Sequence, residues 1–135
     1  MLEGRGHNHP KPRGIARVKE LLAAGVNVAC GQDDVQNMFY PFGKMDPLEV
    51  ALITAHATHM GAPEEIQAAF DMPRYNAAKL WKIDDYGIRV GATANLVVLD
   101  ARSSVEALRR QPDRRYVIRQ GKILAETETA VHWHN

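Results

Sequence analysis

From Gly14 onward the apolar positions fall at helical spacing. Ile15, Val18, Leu21 and Leu22 share one face and Gly25 can supply a left-handed cap, so the pattern predicts a helix over residues 14–24. A short β-prone run follows, Val26-Asn27-Val28-Ala29-Cys30, ending at Gly31-Gln32-Asp33-Asp34; it reads as a buried strand with two acids at its carboxyl end. The segment from Val35 to Met45 is a loop, but Phe39, Tyr40 and Phe42 make it too aromatic for an idle connection. Asp46 is then a predicted N-cap with Pro47 at the first helical position, and Leu48, Leu52, Ala55 and His59 follow one face, giving a helix over residues 47–60. Pro63 opens a further short helix to about Phe70, and Tyr75 to Trp81 forms another, separated from it by Pro73.

Beyond Trp81 the pattern turns to β. Asn95-Leu96-Val97-Val98-Leu99-Asp100 is a nearly continuous apolar strand, and Ser103 or Ser104 can cap a helical turn to Arg110. Tyr116-Val117-Ile118-Arg119 and Lys122-Ile123-Leu124-Ala125 are joined by Gln120-Gly121, which suits a primed hairpin turn. Met1 to Arg13 is a polar Gly/Pro loop, and the segment from Glu126 to Asn135 is polar and expected to be mobile. The order of helix, strand, helix and then strands is a piece of a parallel α/β layer followed by a small β unit. A parallel strand needs neighbours on both edges and cover on both faces, and the run at 26–30 has no second strand of its kind nearby. Those neighbours must come from elsewhere.

Composition narrows the function classes. At 135 residues the chain has room for one ordinary domain but not for a complete (β/α)8 barrel, which needs about 250. Seventeen basic against sixteen acidic residues leave a formal net charge of +1, so there is no global field to gather nucleic acid or an anionic membrane. No apolar run approaches the about 18 residues that span a bilayer, residues 1–20 lack the apolar core of a signal peptide, and one cysteine forms no internal disulfide. The expected setting is cytoplasmic.

The candidate chemistry centres on Asp33 and Asp34, at the end of a strand feeding a long loop, where α/β folds keep catalytic groups. A carboxylate there can hold a divalent metal and accept a proton from its water; the same pair also suits a cap for the following turn. Phe39, Tyr40 and Phe42 either wall a pocket or anchor the loop. His7-Asn8-His9 and His132-Trp133-His134 lie in loop and tail contexts that favour surface histidines, and His56 and His59 have no third ligand placed with them. Cys30 reads as a small core residue, and Arg109, Arg110, Arg114 and Arg115 as a solvated cluster.

Several of these segments together carry a resemblance. Arg13-Gly14-Ile15-Ala16-Arg17-Val18-Lys19-Glu20-Leu21-Leu22, Gly25-Val26-Asn27-Val28, Gly31-Gln32-Asp33-Asp34-Val35, Asp85-Tyr86-Gly87-Ile88 and Ala94-Asn95-Leu96-Val97-Val98-Leu99 resemble, in unbroken order, the carboxyl-terminal third of cytosine deaminases of the amidohydrolase superfamily. The resemblance implies an α/β protein: the C-terminal part of a TIM (β/α)8 barrel, with helix 7 at residues 14–24, strand 8 at 26–30 and helix 8 at 47–60, followed by strands of a small β-sandwich. Residues 1–81 would be barrel, 82–126 the sandwich contribution and 127–135 a flexible tail. The absent strands would account for the unpartnered one.

By the same resemblance Asp33 is the catalytic acid that binds the metal and shuttles a proton, Asp34 faces the substrate ring, and Phe39 stands at an aromatic lid position. Cytosine deaminases usually carry His at the place of Gln32 and Trp at that of Phe39, while relatives acting on triazine rings show Gln at the first. The expected substrate is therefore cytosine or a related amino-substituted heterocycle, hydrolysed at a C–N bond. The complete enzyme would use zinc or iron. This chain, with Asp33 alone of the metal ligands, is expected to bind none tightly and to be inactive by itself. The other reading is a non-catalytic binding or self-assembly module, a homo-oligomer covering the exposed barrel surface.

Overall fold

The computed structural model describes residues 14–38 and 40–134. Helix α1 spans Val18–Ala23 and begins later than the apolar period, with Ile15 left 44% exposed ahead of it. Helix α2 spans Pro47–Ala57; the Asp46 carboxylate accepts from the Leu48 N–H at 2.8 Å, as the Asp-Pro pair foretells. Its last turn is closed by Thr58 N–H to Thr54 C=O and by Met60 N–H to Ala55 C=O, with His59 in the left-handed region at φ 56°.

Helix α3 spans Pro63–Asp71, a π-helical turn covers Met72–Asn76, and α4 spans Ala77–Leu80. These run on without a break, so Pro73 does not separate two helices as its ring predicts. The wider turn accommodates a residue that cannot donate, and the Phe70 carbonyl accepts the Arg74 Nε–H at 3.1 Å.

The β unit is a three-stranded antiparallel sheet of order β1-β2-β3, with β1 Leu96–Leu99, β2 Arg114–Arg119 and β3 Lys122–Glu126. Val97 faces Val117, and Arg119 faces Lys122 across the hairpin. Gln120 and Gly121 have φ of 50° and 75°, the two left-handed residues of a type I′ turn. Between β1 and β2 lies α5, Ser104–Arg110, capped by Ser103, whose Oγ accepts from the Glu106 N–H at 3.1 Å. Among the described residues there is one sheet and no second layer, so the expected sandwich is represented by a single sheet. No described helix is long and apolar enough to cross a membrane.

Two small cores hold these parts. Val18, Ala55, Met60, Ala69 and Met72 gather between α1, α2 and the α3–π segment, with Val28 and Cys30 packed against them. Leu48, Ala51, Ala107 and Leu108 join α2 to α5, with Ile66, Phe70 and Leu99 at the edge. Residues 26–30, the expected strand 8, join no ladder among the described residues. A strand exists by pairing, and no described segment lies beside this one in register. The run is instead pinned to the π turn, where Asn27 Nδ2 donates to Asn76 C=O at 3.0 Å and Asn76 Nδ2 donates to Val28 C=O at 2.7 Å.

Candidate functional site

The anchored run delivers its carboxyl end to the loop of residues 31–46. Cys30 is half-buried against the first core; burial pushes its thiol pKa up, partly offset by a hydrogen bond with Thr54, so it behaves as a packing residue. Gln32 turns inward. Its Nε2 lies 3.5 Å from Glu49 Oε2 at the start of α2, while its Oε1 is buried with no partner among the described residues. Glu49 also accepts from the Lys44 N–H at 3.2 Å, so one carboxylate joins both ends of the loop to the helix.

Asp33 is exposed and held at φ 62°, a left-handed conformation that Asp and Asn tolerate better than most residues. Asp34 is also exposed, and its Oδ2 accepts from Asn37 Nδ2 at 2.8 Å; Asn37 Oδ1 in turn accepts from the Tyr40 N–H at 2.7 Å. Asp34 thus takes part in the turn-capping network that the sequence left open for it. Tyr40 and Phe42 meet edge-to-face at 6.5 Å. The Tyr40 hydroxyl pKa is pushed up by burial and by the negative charge of Glu49. Phe39, the expected lid residue, lies outside the described residues, as do His7 and His9.

Sequence reasoning did not single out Glu49 or Gly43. Gly43 is buried, and a Cβ there would stand 1.9 Å from the Val35 carbonyl oxygen and 2.4 Å from Gln32 Nε2. No local signal marks either residue, because both act across the loop. An acid in the first turn of a helix and a glycine in an aromatic loop are each common on their own.

The metal expectation can be tested against the donor set. Among the described residues no three His, Cys, Asp or Glu side chains come together to hold an ion. His56 and His59 line a cleft with Arg109 and no acid, and His132 and His134 are exposed in the tail. Asp33 offers one carboxylate. The described residues do not by themselves make a metal site.

Comparison with known proteins matches this chain to part of longer proteins. N-isopropylammelide isopropyl amidohydrolase of Pseudomonas sp. (strain ADP) is 33% identical over 115 residues, 84% of this chain and 28% of that protein. Pterin deaminase of Rhizobium rhizogenes (strain K84 / ATCC BAA-868) is 36% identical over 115 residues, 85% of this chain and 26% of that protein. Among solved structures, 5-methylcytosine deaminase from Klebsiella pneumoniae liganded with 5-fluorocytosine superposes with a TM-score of 0.89 at 37% identity, covering 98% of this chain and 32% of that one. N-isopropylammelide isopropylaminohydrolase from Burkholderia multivorans ATCC 17616 gives 0.80 at 33% identity, covering 87% of this chain and 30% of that one. The chain therefore spans about a third or less of the relatives it matches. Residues 1–125 match the amidohydrolase family, and the chain belongs to that family.

Proposed function

We propose that this chain is the carboxyl-terminal portion of a deaminase-type amidohydrolase that hydrolyses a C–N bond of an amino-substituted nitrogen heterocycle, cytosine or a close relative. The observation that carries the reading is the superposition on 5-methylcytosine deaminase, which takes in 98% of this chain at 37% identity. The other relatives support the class rather than one ring, since their names refer to a pterin and to N-isopropylammelide. Gln32 is the inward polar group of the loop, and its unpartnered Oε1 leaves an acceptor for a donor from outside the described residues.

In this reading Asp33 is the carboxylate that takes up a proton and hands it on, and in the complete enzyme it would be one ligand of a zinc or iron ion. Asp34 and Phe39 are substrate-binding residues. The barrel portion comprises residues 1–81, with helix 7 at residues 14–24 and helix 8 at residues 47–60, residues 26–30 becoming strand 8 once the missing barrel strands pair with them, and residues 82–126 contribute to a β-sandwich. The protein works in the cytoplasm on a small molecule.

The test is Asp33→Asn in the complete protein that carries this segment, because Asn also tolerates the left-handed backbone but cannot take up the proton. Ammonia release from cytosine should fall by about 100-fold or more. A variant with undiminished turnover would remove Asp33 from the mechanism.

A further inference from the structure

A cleft of about 490 Å³ opens where the end of α2, the start of α3 and α5 meet. Its apolar lining includes Leu52, Ile66 and Leu108, and its polar lining consists of His56, His59 and Arg109. Asp33 and Asp34 do not line it. We propose that this cleft is a binding site for a small aromatic carboxylate.

The charges around it decide the sign of the ligand. Arg109 has no carboxylate partner among the described residues, whereas its neighbour Arg110 pairs with both Asp100 and Glu106. The imidazoles of His56 and His59 make no hydrogen bond among the described residues. Glu65 of α3 is already bound to Lys19 at 2.5 Å and accepts from the Gly61 and Ala62 N–H groups at 2.8 and 3.0 Å. Glu106 is tied to Arg110 and to the Arg102 N–H. No acid lines the cleft, and its one permanent cation, Arg109, matches a monoanion better than a dianion.

The chemistry of the parts fixes the class further. A guanidinium fork grips the two oxygens of a carboxylate, and imidazoles can hydrogen-bond the same oxygens from the side. The cleft is open, with His56, His59 and Arg109 exposed at its rim, and its aliphatic floor can take one flat face of a single ring.

Benzoate is the probe. Imidazole proton signals of the 135-residue chain are followed by NMR at pH 7, with His56→Asn and His59→Asn assigning the two signals. Benzoate should move both along saturating curves with a Kd of about 10 mM or tighter. Benzamide, the uncharged match in shape, and Arg109→Gln should each weaken binding at least about tenfold, or about 1.4 kcal/mol. Arg109→Lys, which keeps the charge without the fork, should fall between. Linear or absent shifts with benzoate would overturn the proposal. So would benzamide binding equally well, unchanged binding by Arg109→Gln with an intact circular dichroism spectrum, or inorganic phosphate displacing benzoate at lower concentration.

Discussion

Gly43 is where the loop around Asp33 is most tightly specified. Its carbonyl accepts from Gln36 Nε2 at 3.2 Å, and the space a methyl group would need is occupied by the Val35 carbonyl and the Gln32 amide. A backbone oxygen cannot swing aside as a flexible side chain can. Gly43→Ala should therefore cost about 2 kcal/mol or more, read as a lower urea midpoint, and should displace Gln32 from Glu49. An unchanged midpoint would mean that the loop is looser than its contacts indicate. At this scale sequence reading singled out Asp33 and Asp34 from their place after an apolar run. It could not reach the Gln32–Glu49 contact, which joins residues 17 apart with no periodic signature.

Among the elements, those governed by neighbours in sequence were legible. Asp46-Pro47 starts α2, Ser103 caps α5, and Gln120-Gly121 makes the hairpin turn. Those governed by distant partners were not. Pro73 ought to end a helix by local rules, yet packing of Ala69 and Met72 into the first core holds the chain helical through a π turn. The link between α1 and α3 is also non-local. Glu65 reaches back to the N–H groups of Gly61 and Ala62 and across to Lys19, and its carboxyl pKa is lowered from 4.5 to about 2, chiefly by the hydrogen bond with Lys19. A carboxyl depressed on folding stabilises the fold above its unfolded value and loses that contribution as pH falls. Stability should thus decline as pH drops from 4.5 through about 2, and Glu65→Gln should flatten that part of the curve. Superimposable acid titrations of the wild type and the Glu65→Gln variant, followed by circular dichroism, would rule out this link.

Across the whole molecule, the buried apolar set of the described residues is small. It comprises Val18, Leu48, Met60, Met72 and Leu108 together with five alanines, and Met72 is the largest fully buried side chain. Alanine burial contributes little, so apolar side chains that would drive folding stand outward, Val97 at 56% exposed, Ile123 at 59% and Leu124 at 63%. The sequence showed this shortage as an apolar run at 26–30 without neighbours, and the comparisons give it a scale, with the chain covering 32% of 5-methylcytosine deaminase. The role proposed for Asp33 depends on that larger fold, because among the described residues no three His, Cys, Asp or Glu side chains come together to hold an ion. The most direct test is ammonia release from cytosine by the purified 135-residue chain supplied with zinc or iron. We predict none above the rate of the metal alone; sustained turnover would contradict the proposal that the catalytic set is completed by residues beyond this chain.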